Sequence, residues 1–403
     1  MANTFNLGNG NWAQKTEKLL AYNAENDNYK PLPFDFDRGS TATRVNKNGL
    51  IETVGVDEPR IDFLNNTKGH LLLEPSRSNL VTYSEDFSQS AWIKTRVSIS
   101  SNVAISPDGS QNADKLVEST ASGTHFMRID VTSGSPALLS VFAKKGEETS
   151  FAIGNATAAQ GVDFDLENGI VSGTGGFIED YGNGWYRCSY YRASWSDFQY
   201  FKLRSNTALY TGDGTSGIYI WGAQFEAGSY ATSYIPTSGS AVTRVAETCN
   251  NAGNSNVFND SEGVLYVETE QFTDGDFQST YISLNQDGSS TNHLTIQHRN
   301  SGQLRIYANG FGTAEIQFLE NIDMAQNLKI AVQYKQNDYK LFVNGTQYSI
   351  YPSGGAQPAL TGLNVVEFHL PTSVSQFWLG KVKDLKVYNT ALSDTELQAL
   401  TQV

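Results

Sequence analysis

Residues 184–201, GWYRCSYYRASWSDFQYF, gather Trp185, Tyr186, Tyr190, Tyr191, Trp195, Phe198 and Tyr200 beside Arg187, Arg192 and Asp197. Such a mixture suits sugar recognition. Aromatic rings stack on the apolar faces of sugars, and Arg, Asp, Asn and Gln bond the hydroxyls. Strand alternation sends Trp185 and Arg187 to one face and Tyr186 and Cys188 to the other. Trp195 lies near a turn with Ser194, Ser196 and Asp197, so it is the ring expected at the surface. Trp185, Tyr186, Arg187, Trp195 and Asp197 form the candidate glycan-binding set. The competing reading places most of these rings in a core or a subunit interface, where aromatics and Arg also concentrate.

Paired carboxylates would do different work. Glu268 and Glu270 stand two apart in VLYVETEQF, so both project from one face of a strand. A retaining glycosidase needs two carboxyls about 5–5.5 Å apart; a solvated strand face is the alternative. The turns Asp274-Gly275-Asp276 and Thr211-Gly212-Asp213-Gly214 could supply oxygens to a structural calcium, or are ordinary Asp-Gly turns. No other cofactor is implied, and no EF-hand spacing is present. The histidines are His70, His125, His293, His298 and His369. His293 and His298, five apart on one expected strand, fall on opposite faces and suggest no zinc cluster. There is no Gly-x-Ser-x-Gly elbow. GDGTSG at 212–217 matches GxGxxG by letter but runs into GIYIWGAQF, a strand pattern, so the helix N-terminus that would hold a pyrophosphate is missing. No catalytic residue is assigned. Cys188 and Cys249 match no zinc or redox spacing and are read as buried or unpaired thiols.

Composition narrows the partners. The chain has 403 residues, a net charge of −14 and only 17% charged residues. An acidic balance argues against nucleic acid and against an anionic membrane surface. No run of about 18 apolar residues is present. The opening MANTFNLGNGNWAQ has neither a basic n-region nor an apolar h-region, so no signal peptide is expected. Gly 36, Tyr 20 and Phe 21 favour strands and turns over helices.

The elements that must position these residues are mostly strands. Trp12–Tyr22 could form a short helix with Trp12, Leu19, Leu20 and Tyr22 as a ragged apolar face; after it, 23–40 reads as an extended arm. Short strands are expected at Ala42–Val45, Leu50–Val54, Arg60–Phe63 and His70–Glu74, and longer ones at Ala137–Lys144, Ser150–Ile153, Gly184–Tyr191, Phe198–Leu203 and Gly217–Phe225. The segment 236–260 is rich in Ser, Asn and Gly and marks a boundary near 250. Strands then recur to Phe377–Tyr388, with an Asn344-Gly345 hairpin turn. Ser393 and Glu396 form a capping box for a closing helix with Leu392, Leu397 and Leu400 on its apolar face.

Several segments together resemble a known module. FDFDRGSTATRVNKNGLIETVGVDEPRIDF (34–63), GHLLLEPSRSNLVTYSEDFSQSAW (69–92), PDGSQNADKL (107–116), GNGWYRCS (182–189) and WGAQFEAGSYATSYIPTSGSAVTRVAE (221–247) resemble a carbohydrate-binding-like jelly roll of phage tail-fibre, head-fibre and related virion surface proteins. EGVLYVE, LKIAVQYKQNDYKLFVNG and FWLGKVKDLKVYNTALSDTELQALT in 263–403 resemble a concanavalin A-like (laminin G-like) jelly roll. That superfamily includes glycoside hydrolases with three acids on or near alternate positions; here Val264, Tyr266, Glu268 and Glu270 alternate and the third acid is missing, which puts hydrolysis in doubt.

The expected fold is therefore all-β: two jelly-roll β-sandwiches in tandem behind an extended N-terminal arm. The arm spans 1–40, the carbohydrate-binding-like sandwich 41–250 and the concanavalin A-like sandwich 251–403. The resemblance implies a non-enzymatic virion protein of fibre or decoration type. It would be made in the host cytoplasm and anchored to other virion proteins through Trp12, Leu19, Leu20 and Tyr22. It would attach to host surface polysaccharide as a homotrimer. The rivals are a virion depolymerase and a purely structural capsid or tail component.

Overall fold

A computed structural model of the chain describes residues 3–15, 18–29, 33–131, 136–154, 160–195, 198–272, 280–288, 291–299, 303–310, 315–348, 351–353, 359–370 and 376–403, with backbone alone at 315–320 and 351–353. The chain is nearly all β, as alternation and turn chemistry require, with one helix among the described residues, at Asp394–Thr401. It divides into two compact units: 1–41, 54–75 and 246–403 in the first, and 42–53 and 76–245 in the second.

This division corrects the expected boundaries. The first forty residues are part of the first unit rather than a separate arm, and so are 54–75. The reason is sheet pairing. The closing strand Gly380–Tyr388 pairs with Glu262–Gln271 along one edge. Its other edge is shared: His70–Leu73 takes residues 380–382 and Phe5–Gly8 takes 384–387. Phe5 and Leu7 point into the core. Trp12–Tyr22 is not a helix either. Ala13–Lys15 pairs with Lys18–Leu20, which pairs with Phe34–Asp37, which pairs with Thr248–Asn250. A ragged apolar face gives a helix little to bury, and sheet partners override it.

The first unit holds an eight-stranded and a six-stranded sheet. Leu265, Val267, Ile330, Val332, Leu385 and Val387 from one and Ile282, Leu284, Leu294, Ile296, Leu304 and Ile306 from the other share one core. The helix caps as the sequence predicts: Ser393 Oγ accepts from Glu396 N, and Glu396 Oε2 accepts from Ser393 N at 2.8 Å. Leu397 is fully buried.

The second unit has two six-stranded sheets. Its core is built by Leu139, Val141, Phe151, Ile153, Val162, Phe164, Phe201, Ile220 and Phe225. Cys188 and Cys249, one in each unit, are free and buried, and burial pushes both thiols well above the ordinary range.

Candidate functional site

In the six-stranded sheet of the first unit, three adjacent strands alternate strictly. Thr280–Asn285, Asn292–His298 and Gln303–Gly310 send Ile282 and Leu284, Leu294 and Ile296, and Leu304, Ile306 and Ala308 into the core. A period of two then forces the intervening side chains onto the other face. Register lines them up in rows: Tyr281–Gln297–Arg305, Ser283–Thr295–Tyr307 and Asn285–His293–Asn309. The middle strand is buried along its whole length on both faces, so His293, Thr295 and Gln297 are withdrawn from solvent although polar.

A cavity of about 270 Å³ opens on this grid, lined by Tyr281, His293, Thr295, Gln297, Arg305, Tyr307 and Leu370. It lies just below the range of about 300–1,000 Å³ usual for ligand pockets. Its walls are preorganised by side-chain bonds. Gln297 Nε2 donates to Tyr281 Oη at 2.8 Å and Asn309 Nδ2 to Tyr307 Oη at 3.3 Å. The Arg305 guanidinium lies 4.5 Å from the Tyr307 ring centre, and the His293 ring is 5.3 Å from Tyr307. Beside the grid, Asn285 Nδ2 donates to Glu367 Oε2 at 2.9 Å, and His369 Nε2 lies 3.5 Å from Glu367 Oε1. Burial works against charge on His369, but its bonds to Glu367 and to the Leu370 carbonyl outweigh burial and raise its pKa.

The described members of the predicted glycan set lie in the second unit and are buried or half-buried. Trp185 and Trp195 are buried in the second unit. Their indole N–H groups donate to backbone carbonyls, Ile105 O at 3.0 Å and Ala137 O at 2.9 Å. Trp195, expected at the surface, packs edge-on against Tyr190 and Phe225. Tyr186 packs half-buried against the core. Arg187 is buried and bonded to Thr232 O and Ser140 Oγ. Asp197 lies outside the described residues. An indole that finds a carbonyl partner inside the fold gains more from burial than from exposure, so aromatic density here marks packing.

The anchoring set is likewise spent inside the first unit. Leu19 is fully buried and Leu20 half-buried. Trp12 donates from Nε1 to Lys68 O at 2.8 Å, and the Tyr22 hydroxyl bonds Asp27.

The carboxylate pair is on the other sheet. Asn327 Nδ2 donates to Glu268 at 3.0 Å. Glu270 is held by Lys381 at 2.8 Å and Lys383 at 3.3 Å. Burial raises the Glu270 pKa, yet the two lysines outweigh it and the net direction is down. An acid held ionised is poorly suited to protonate a leaving group. The Asp213 turn is an ordinary one: its carboxylate accepts from Thr215 N and Ser216 N, each at 2.7 Å. The other calcium candidate, 274–276, lies outside the described residues. Among the described residues no cluster of three or more His, Cys, Asp or Glu could hold a metal.

Residues 265–398 match the family model described as the concanavalin A-like lectin/glucanases superfamily. No curated protein matches the chain. Among solved structures, the CBM40 of a Ruminococcus gnavus IT-sialidase bound to α2,3-sialyllactose is 17% identical, with 38% of this chain and 93% of that one covered and a TM-score of 0.31. A leech intramolecular trans-sialidase is 20% identical over 38% of this chain and 26% of its own, with a TM-score of 0.30. Domains LG4-5 of the mouse laminin α1 chain are 9% identical over 78% and 89%, with a TM-score of 0.26.

The groove is not legible in any single stretch of sequence, because its residues meet only through the register of three paired strands. The signal was present: three neighbouring strands whose polar positions hold Tyr, His, Thr, Gln, Arg and Asn and no Lys or Glu.

Proposed function

We propose that the protein is a non-enzymatic glycan-binding protein and that the groove on the Tyr281–Gln297–Arg305 face receives the sugar. One observation carries the reading. A concanavalin A-like sheet buries a registered grid of hydrogen-bonding and aromatic side chains around a cavity. Buried polar groups are costly unless paired, and sugar hydroxyls supply both donors and acceptors. The lysine-paired Glu270 supports binding without hydrolysis.

The wider setting rests on the sequence resemblance of 34–247. The protein is read as a fibre- or decoration-type virion subunit, trimeric, attaching a phage to host surface polysaccharide. Shotgun proteomics of purified virions would detect it, and light scattering would give a mass three times 44.1 kDa. The site itself is tested on a glycan array. Wild type binds a subset of glycans, Tyr307→Ala loses them while keeping its unfolding transition, and no reducing ends are released from a bound polysaccharide. Release of reducing ends, abolished by Glu268→Gln, would replace this reading with a depolymerase.

A further inference from the structure

Among the described residues, the groove carries a cation with no counter-ion. Arg305 makes a single side-chain hydrogen bond among the described residues, a long one of 3.4 Å from Nη1 to Gln297 Oε1. Its Nε is buried without an acceptor, and among the described residues Nη2 has none either. Among the described residues no carboxylate lines the cavity. Glu367, on the strand that pairs with Thr280–Asn285, is occupied by Asn285 and His369. The Tyr307 ring under the guanidinium fixes its plane.

The Nε and Nη2 hydrogens of an arginine point the same way in one plane and form a fork whose spacing matches the two oxygens of a carboxylate. Here that fork is unpaired among the described residues, with its Nε buried, in a side chain that lines a cavity. A buried donor left unpaired costs free energy that a ligand can recover. We propose that the groove selects sugars bearing an ionised carboxylate, such as uronic or nonulosonic acids, with the carboxylate seated on the Nε–Nη2 edge of Arg305. Gln297 and Tyr281 then face the ring hydroxyls. This rests on the groove being the glycan site.

The experiment compares matched ligands on the full chain: sialyllactose and oligogalacturonate, each beside its carboxyl methyl ester, with lactose as the neutral reference, by isothermal titration. The acids should bind at least tenfold more tightly than their esters, with affinity falling as salt rises. Arg305→Gln should remove that preference, and Arg305→Lys should restore only part of it, since it returns the charge without the fork. Equal binding of acid and ester would overturn the carboxylate inference and leave the glycan site standing. Binding of no saccharide at all would overturn both. If Arg305→Gln fails to fold, the acid–ester comparison on wild type still decides.

Discussion

Arg60 donates from Nε to Glu247 Oε1 at 2.6 Å across 187 residues of sequence. Both side chains are fully buried. Glu247 also accepts from Arg38 Nη1 at 3.0 Å and from the Glu74 amide at 2.8 Å, and Arg60 reaches Glu74 at 2.8 Å. Two arginines and two glutamates thus cancel in charge, and the cluster ties together three separate segments of one discontinuous unit. Removing one member of a buried pair leaves the other charge uncompensated, which costs about 3–5 kcal/mol. Glu247→Gln should lower stability by that amount in urea unfolding, with a shifted midpoint. A loss below about 1 kcal/mol would mean that the cluster does not hold the unit together.

Deletion of residues 1–33 should damage the first unit and spare the second. The deletion removes Phe5–Gly8 from the Gly380–Tyr388 edge and takes Phe5, Leu7 and Leu19 out of the core. Losing three fully buried large side chains costs several kcal/mol, and the exposed edge invites aggregation. Differential scanning calorimetry should show one transition lost or strongly lowered and another unchanged. Two unshifted transitions would mean that the segment is dispensable.

Trp195→Ala should act on folding rather than on sugar binding. Trp195 fills the second unit's core and bonds Ala137 O, so truncation should cost about 3–5 kcal/mol. Glycan affinity measured below the lowered melting temperature should stay within twofold of wild type. A loss of affinity without a loss of stability would return the sugar site to 184–201.

Trp195 and Arg305 also show how far the sequence could be read. Strand alternation depends on single positions and their neighbours, so the all-β class, the Ser393 capping box and most strands could be seen directly. Site assignment depends on which strands lie side by side. Gln297 and Arg305 become neighbours only through pairing of two strands in register, a property no single stretch displays. Trp195 lies in the densest aromatic segment of the chain, yet density does not reveal that a carbonyl of a distant strand awaits its indole. The N-terminal segment failed for a related reason: its partner, residues 384–387, is nearly four hundred positions away.

The last prediction concerns pH. His70 is buried, and among the described residues neither ring nitrogen makes a hydrogen bond; Asp62 Oδ1 lies 3.6 Å from Nε2. Burial, and then the charges of Lys381, Lys383 and Arg60, push its pKa down to about 3, with Glu74 opposing. In the unfolded chain it titrates near the ordinary 6.5. Between these values the unfolded state binds a proton that the folded state refuses, so stability rises with pH. The contribution is fully in force above about 6.5 and is lost progressively as pH falls towards 3, by an amount on the order of a few kcal/mol. Other carboxylates titrate in the same window, so the informative quantity is the difference between wild type and His70→Gln. Urea midpoints at pH 7.5, 5 and 3.5 should show wild type losing more stability on acidification than the variant, with the gap opening below pH 6.5. Parallel profiles would mean that His70 accepts its proton in the folded state, against the environment its neighbours create.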